Sequence, residues 1–282
     1  MHLNSCFSIG VLAMAVCFAT AATRAEDRLP QGVAPGIEKP LLIAPRPENG
    51  RNSEGDFIPL KDGRLLLVYT KFIGTGDHAP AELVARYSSD GGKTWGRDDV
   101  QIIARKPGEA NLMSVSLLRL QDDRIALFYV QKYESPPESK YSHLDYILMR
   151  TSTDEGATWS EPTYVVPKEE PGYRVLNNDR VIQLKTGRLV VPVAVHYLPG
   201  WAKWQDSAQI LCYLSDDHGR TWRPATSTLE TKLLAQEPGV VELNDAGLMM
   251  FCRSRDCQLV SHSDDGGDTW SALKRSNISQ PT

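Results

Sequence analysis

Positive charge is not in excess here: 31 lysines and arginines face 35 acidic side chains, a formal charge of −4. Such a balance argues against a nucleic-acid partner, because no basic surplus exists to neutralise a phosphate backbone. Cysteine is scarce, at five residues, and no Cys-x-x-Cys occurs. Two of the five, Cys6 and Cys17, lie in an N-terminal apolar run, which leaves Cys212, Cys252 and Cys257. An odd three allows at most one internal disulfide, and buried thiols are the expectation. Histidines 2, 78, 143, 196, 218 and 262 never pair at metal-ligand spacing, so no metal site is readable. Long apolar runs are also missing, with one exception at Cys6–Ala22. That run is too short and too early for a membrane span. Thr23-Arg24-Ala25 follows as a small-x-small site before Glu26. Residues 1–25 therefore read as an export signal, and the mature chain, residues 26–282, as secreted or periplasmic without a membrane span. Losing Arg24 takes the charge from −4 to −5.

What is present is repetition. Ser-x-Asp-x-Gly-x-Thr-Trp occurs four times, ending at Trp95, Trp159, Trp222 and Trp270. The box aspartates are Asp90, Asp154, Asp217 and Asp265, spaced 64, 63 and 48 residues apart. A second repeat alternates with it, opening at Leu60, Leu120, Leu184 and Leu243, spaced 60, 64 and 59 apart. Periods of this size indicate a propeller, solenoid or array.

Local patterning selects among these. Both repeats are turns between extended runs, because Asp-Gly and Thr-Gly supply the positive φ that a hairpin needs. Val, Ile, Leu, Tyr and Phe crowd the flanks, as in Leu65–Tyr69 and Leu189–Val195. No stretch of ten residues carries a 3.6-residue period. Two hairpins per unit make four antiparallel strands, A to D, which is a propeller blade. The box aspartate then serves to accept backbone N–H bonds in a tight loop. The tryptophan serves to plug the turn. Calcium is not indicated, since no bidentate glutamate closes these loops.

Strand parity sorts the loops. The A–B turns and the box turns share one end. The B–C loops and D–A connections share the other, and they are the long, variable ones on which function usually sits. Strand A openings at that end carry Glu54, Ser114, Asn178, Asp179, Arg180 and Glu237. Strand B exits offer Asp77, Lys132, His196 and Arg253. Carboxylates beside arginines in a central cleft suggest acid/base chemistry on a polar or anionic substrate. Trp201 and Trp204, on the third B–C loop, suit stacking on sugar or on the loop itself.

These motifs carry a resemblance. The four boxes are those of the bacterial neuraminidase repeat, and the mature chain looks like a sialidase-type propeller. Such propellers have six blades, of which about four are legible here. Glu237-Pro-Gly-Val-Val-Glu-Leu followed by Phe251-Cys-Arg253-Ser is similar to the sialidase segment in which a glutamate precedes a carboxylate-binding arginine by one hairpin. By resemblance Glu237 would be the activating carboxylate and Arg253 a substrate-binding arginine. Asp77, in Asp77-His-Ala-Pro-Ala-Glu-Leu, resembles the sialidase acid/base aspartate. Arg180, Asn178, Asp179, Glu54 and His196 are further candidates for substrate contact. No cofactor is implied.

Two departures stand out. Sialidases open the first blade with Arg-Ile-Pro, whereas this chain has Phe57-Ile-Pro, with acidic Glu54 and Asp56 beside it. The family's nucleophilic tyrosine and last arginine belong to blades after the fourth box, and this sequence runs only 12 residues past Trp270. The resemblance thus implies an exo-glycosidase that hydrolyses terminal sialic acid, or a related acidic sugar, from a glycan. The alternative is a carbohydrate-binding propeller without catalysis, or an inactive fragment.

Overall fold

Residues 40–134, 141 and 143–279 are described in the computed structural model. The expected export segment, residues 1–25, lies outside them. Within the described residues every regular element is a strand. The strands form four antiparallel sheets, one for each visible repeat. The first blade is β1 (Arg51–Pro59), β2 (Leu65–Phe72), β3 (Ala81–Ser88) and β4 (Val100–Ile103) in that spatial order. The second is β5 (Glu109–Arg119), β6 (Ile125–Glu134), β7 (His143–Ser152) and β8 (Thr163–Tyr164).

In the third blade the inner strand is split. Both β9 (Tyr173–Val175) and β10 (Ile182–Gln183) pair with β11 (Leu189–Tyr197), which continues to β12 (Gln209–Ser215) and β13 (Arg223–Pro224). The fourth blade is β14 (Gln236–Glu242), β15 (Leu248–Arg253), β16 (Cys257–Ser263) and β17 (Lys274–Ser279). β6 and β11 are buried on both faces over most of their length, whereas β15 and β16 alternate. All nine residues of β11 are buried, which is why it reads as an unbroken apolar run without alternation.

Three apolar seams run between successive blades. Leu66, Leu83 and Ile58 meet Leu117, Leu127 and Leu148 in the first. Phe128, Met149 and Val166 meet Val191, Val193 and Tyr213 in the second. Val190, Ile210 and Cys212 meet Met250, Cys252 and Leu259 in the third. Cys212, Cys252 and Cys257 are free and buried, so no disulfide joins them.

The expected parity is visible in the contacts between blades. The A–B turns of the first three blades each reach the box of the next blade. Lys61 N–H donates to Glu155 at 2.8 Å, Arg124 Nη2 to the His218 carbonyl at 3.3 Å, and Arg188 Nη1 to the Asp265 carbonyl at 3.2 Å. Both kinds of turn therefore share one end. Inside each box, serine Oγ donates to the aspartate at 2.8 Å and receives the glycine N–H. Threonine supplies its N–H and hydroxyl to the same carboxylate, at 2.8 and 2.6 Å in the first box. These bonds hold Asp90 and Asp154 down at about 2, the Thr94 and Thr158 hydroxyls contributing most. At Asp217 burial works against the Thr221 bonds, and the carboxyl still falls to about 2. Trp95, Trp222 and Trp270 donate Nε1–H to the box glycine carbonyl, at 2.9–3.1 Å.

Candidate active site

At the opposite end, a bulge recurs in the inner strands. Register slips between Ser53 and Asp56 in β1, Met113 and Ser116 in β5, and Gln236 and Gly239 in β14. Each slip carries a non-glycine residue in the left-handed region: Glu54 (φ 55°), Ser114 (62°) and Glu237 (48°). Asp179 (53°) occupies the corresponding gap between β9 and β10. Left-handed backbone costs an L-residue about 1–2 kcal/mol. Four such positions lie at matching places in four blades, and three of them line one pocket.

That pocket has a volume of about 150 Å³. Glu54 and Ser114 line it from the bulges of blades one and two, and Asp77 from the loop joining β2 to β3. Lys132 enters from the end of β6, Tyr173 to Asn177 from β9 and its exit, and Glu237 from blade four. Four blades thus converge on a single site. Asn111, fully buried, pins the Asp77 loop by donating to the carbonyls of Asp77 and Ala79 at 2.8 and 3.1 Å.

The charges are arranged in pairs. Arg51 Nη1 donates to Asp77 at 2.7 Å, and Arg51 Nη2 lies 3.7 Å from Glu54. Arg253 Nη1 donates to Glu237 at 2.5 Å. Glu54 also accepts the Ser114 hydroxyl at 2.9 Å. The consequences for the two neighbouring carboxyls are opposite. Desolvation pushes Glu54 up, against the Ser114 bond and Arg51. The Arg51 hydrogen bond pulls Asp77 down. Deeper in, Asp145 is fully buried and is raised to about 7 by desolvation, with Arg174 opposing. Burial raises Asp56 to about 6, although Leu117 and Phe57 N–H groups donate to it at 2.7 Å each.

Of the residues expected from the sequence, Asp77, Glu237 and Glu54 share the pocket, and Arg253 joins it through Glu237. Asn178, Asp179 and Arg180 lie beside the inner strands but do not line it. Asn178 donates to the Gly55 carbonyl at 3.4 Å, Asp179 N–H to the Val115 carbonyl at 3.1 Å, and the Arg180 guanidinium sits 5.3 Å from the Phe251 ring centre. His196 is placed differently from expectation. It is buried, with Nδ1 2.7 Å from the Gln205 carbonyl and its ring stacked on Trp204 at 4.8 Å, so it holds the third B–C loop. Trp204 packs in turn against Tyr141 and Tyr173. Phe57 is 60% exposed on β1 and does not line the pocket. Arg51 and Tyr173 were not singled out by sequence reasoning, and Ser114 was named only as part of a strand A opening, like Lys132 on its strand B exit. The lysine's presence on a strand B exit was its only signal.

The four-bladed arrangement, with box turns at one end and a charged pocket at the other, defines a propeller of sialidase type. The chain belongs to the family described as the BNR repeat-like domain, whose profile covers residues 99–282. It is 28% identical over 294 residues to a sialidase of Micromonospora viridifaciens, covering 92% of this chain and 43% of that protein. It therefore spans less than half the length of that relative. Among solved structures it resembles a protein of unknown function from Dyadobacter fermentans, with a TM-score of 0.68 and 22% identity, covering 83% of this chain and 71% of that one. It also resembles a leech intramolecular trans-sialidase, with a TM-score of 0.65 and 17% identity, covering 86% and 53%.

Proposed function

We propose that the chain is a glycoside hydrolase of sialidase type that acts on a terminal acidic sugar of a glycan. One observation carries this reading: Glu54 and Asp77, held by the same guanidinium, are displaced in opposite directions. A glycosidase needs one carboxyl that keeps its proton and another group that stays charged, and their environments set the difference. Glu54, desolvated and raised, suits the proton donor to the leaving oxygen. The resemblance gives proton transfer to Asp77, which Arg51 keeps anionic; it then suits the charged partner that steadies positive charge developing on the ring. Glu237 and Arg253 face them from blade four. Tyr173 lines the same pocket, but burial, then the charges of Asp145, Asp77 and Glu54, push its hydroxyl up and keep it a neutral phenol.

A second reading is binding without turnover. Its support is that Arg51 and Arg253 are each engaged by a site carboxylate. The test is release of 4-methylumbelliferone from its sialic acid conjugate across pH 4–8. General acid catalysis contributes about 10²–10⁴-fold, so Glu54→Gln should lower kcat by about 10²-fold and flatten the alkaline limb. Asp77→Asn should lower kcat but keep that limb. If the limb disappears in Asp77→Asn and persists in Glu54→Gln, the roles are reversed. Saturable glycan binding by a wild-type protein that releases no fluorophore would select the second reading.

A further inference from the structure

Among the described residues, two cations that line the pocket have no carboxylate within 4.0 Å, Lys132 and Arg174, and Lys132 is the one whose ammonium stands beside the Tyr173 ring. Lys132 is 4% exposed, yet it lines the cavity beside Tyr173 and Ser114. Its Nζ donates to the Asp77 carbonyl at 3.2 Å and stands 5.2 Å from the Tyr173 ring centre. Among the described residues no carboxylate oxygen lies within 4.0 Å of it, whereas Arg51 and Arg253 both make such pairs. An ammonium has three N–H donors, and a buried one without an anion carries a large desolvation cost. That cost is visible as a lowered lysine pKa, with burial the first cause and the more distant Asp145, Asp77 and Glu54 opposing it.

A purely structural role explains this poorly. The Asp77 carbonyl that Lys132 touches already accepts a shorter bond, at 2.8 Å, from Asn111. The loop therefore has its tether without the lysine. What remains is a desolvated positive charge with unused donors, facing a space of about 150 Å³. That volume is below the roughly 300 Å³ of a small-ligand pocket. It suits a carboxylate and the ring edge that bears it, with the rest of a sugar lying outside.

We propose that Lys132 is the anion receptor of this site, binding the carboxylate of an acidic sugar that lies against Tyr173. The assignment deepens the sialidase-type reading and rests on it. It explains how the first blade dispenses with an arginine at Phe57: the positive charge comes from the second blade instead. An incoming carboxylate would complete the lysine's bonding and offset the cost of burying it. The neighbouring carboxylates do not cancel the attraction: Asp77 and Glu237 are each paired with an arginine, and Glu54 and Asp145, the latter directly opposite Lys132 on β7, are both shifted by burial toward their protonated forms.

The experiment is calorimetric titration of the wild-type chain, Lys132→Met and Lys132→Arg with N-acetylneuraminic acid, its methyl ester and glucuronic acid. Melting temperatures are recorded alongside. Wild type should bind N-acetylneuraminic acid at least tenfold more tightly than the ester, and Lys132→Met should lose that preference. Lys132→Arg should recover part of it. Replacing a buried unpaired charge by an apolar side chain of similar length should leave the melting temperature unchanged or raise it. A strut would behave otherwise, with the methionine variant melting lower, and that result overturns the proposal. So does a methionine variant that binds the acid as wild type does. Binding of glucuronate in place of neuraminate, lost in Lys132→Met, would keep the receptor and change the sugar. A wild type that binds none of the three would remove the sialidase-type reading and this assignment together.

Discussion

Thermal unfolding followed between pH 8 and pH 2 should give a maximum of stability near pH 5. The melting temperature there should be about 5 °C above its value at pH 8, followed by a steep loss below pH 3. Asp56 is raised to about 6 and Asp145 to about 7 in the folded protein, both chiefly by desolvation. An unfolded aspartate titrates near 3.9. Between those values the native state holds protons that the unfolded state has released, so stability falls as pH rises. One pKa unit is worth about 1.4 kcal/mol, and one kcal/mol moves the melting point of a domain this size by about 2–4 °C. His78, His143 and His196 are lowered by burial and work the other way below pH 6.5. Their opposition is the reason to expect about 5 °C and not more. The acid limb has a separate source. Asp90, Asp154 and Asp217 titrate at about 2, so what they contribute is present above pH 4 and lost as pH falls toward 2. A melting temperature that stays flat, or rises, from pH 5 to pH 8 would contradict this assignment of buried charge.

Gly219→Val should be the most damaging single substitution among the box glycines, costing about 3–4 kcal/mol and about 10 °C. Two effects add. Gly219 has φ 84°, and a Cβ there would stand 2.3 Å from Met149 Sδ of the preceding blade. A valine in that region is strained by about 1–2 kcal/mol, and forced overpacking costs about 1–3 kcal/mol more. Gly63 separates the terms. Its φ is 85°, but nothing lies within 4 Å of a Cβ built there. Gly63→Val should therefore show the backbone cost alone. Differential scanning calorimetry of both variants decides the matter, and equal losses would mean that the contact with Met149 contributes nothing.

Much of this architecture was legible because its signals are local. A box fixes a turn through its own serine, aspartate and threonine, so four boxes fixed four hairpins without reference to the rest of the chain. Counting strands then assigned Asp77 and Glu237 to one end, and both line the pocket found there. Other features left no such trace. Glutamate and serine do not announce a left-handed backbone, so the bulges at Glu54, Ser114 and Glu237 became visible only with the register. Lys132 reads as one more polar residue on a strand exit; that it makes no ion pair within 4.0 Å among the described residues depends on how the surrounding blades place their carboxylates. His196 looked like its neighbours on other blades, but Trp204 and Gln205 of its own loop fold over it. The split of the third inner strand into β9 and β10 had no counterpart in the repeat spacing, since Leu184 keeps its place.

The three clasps between an A–B turn and the following box link blades that are adjacent along the chain. Tension applied to the two ends of the molecule would therefore be borne by one module at a time. Repeat leucines 59–64 residues apart set the contour released at each rupture, roughly 20 nm of extended backbone. Such a protein would yield to a pull as a sawtooth of near-equal teeth.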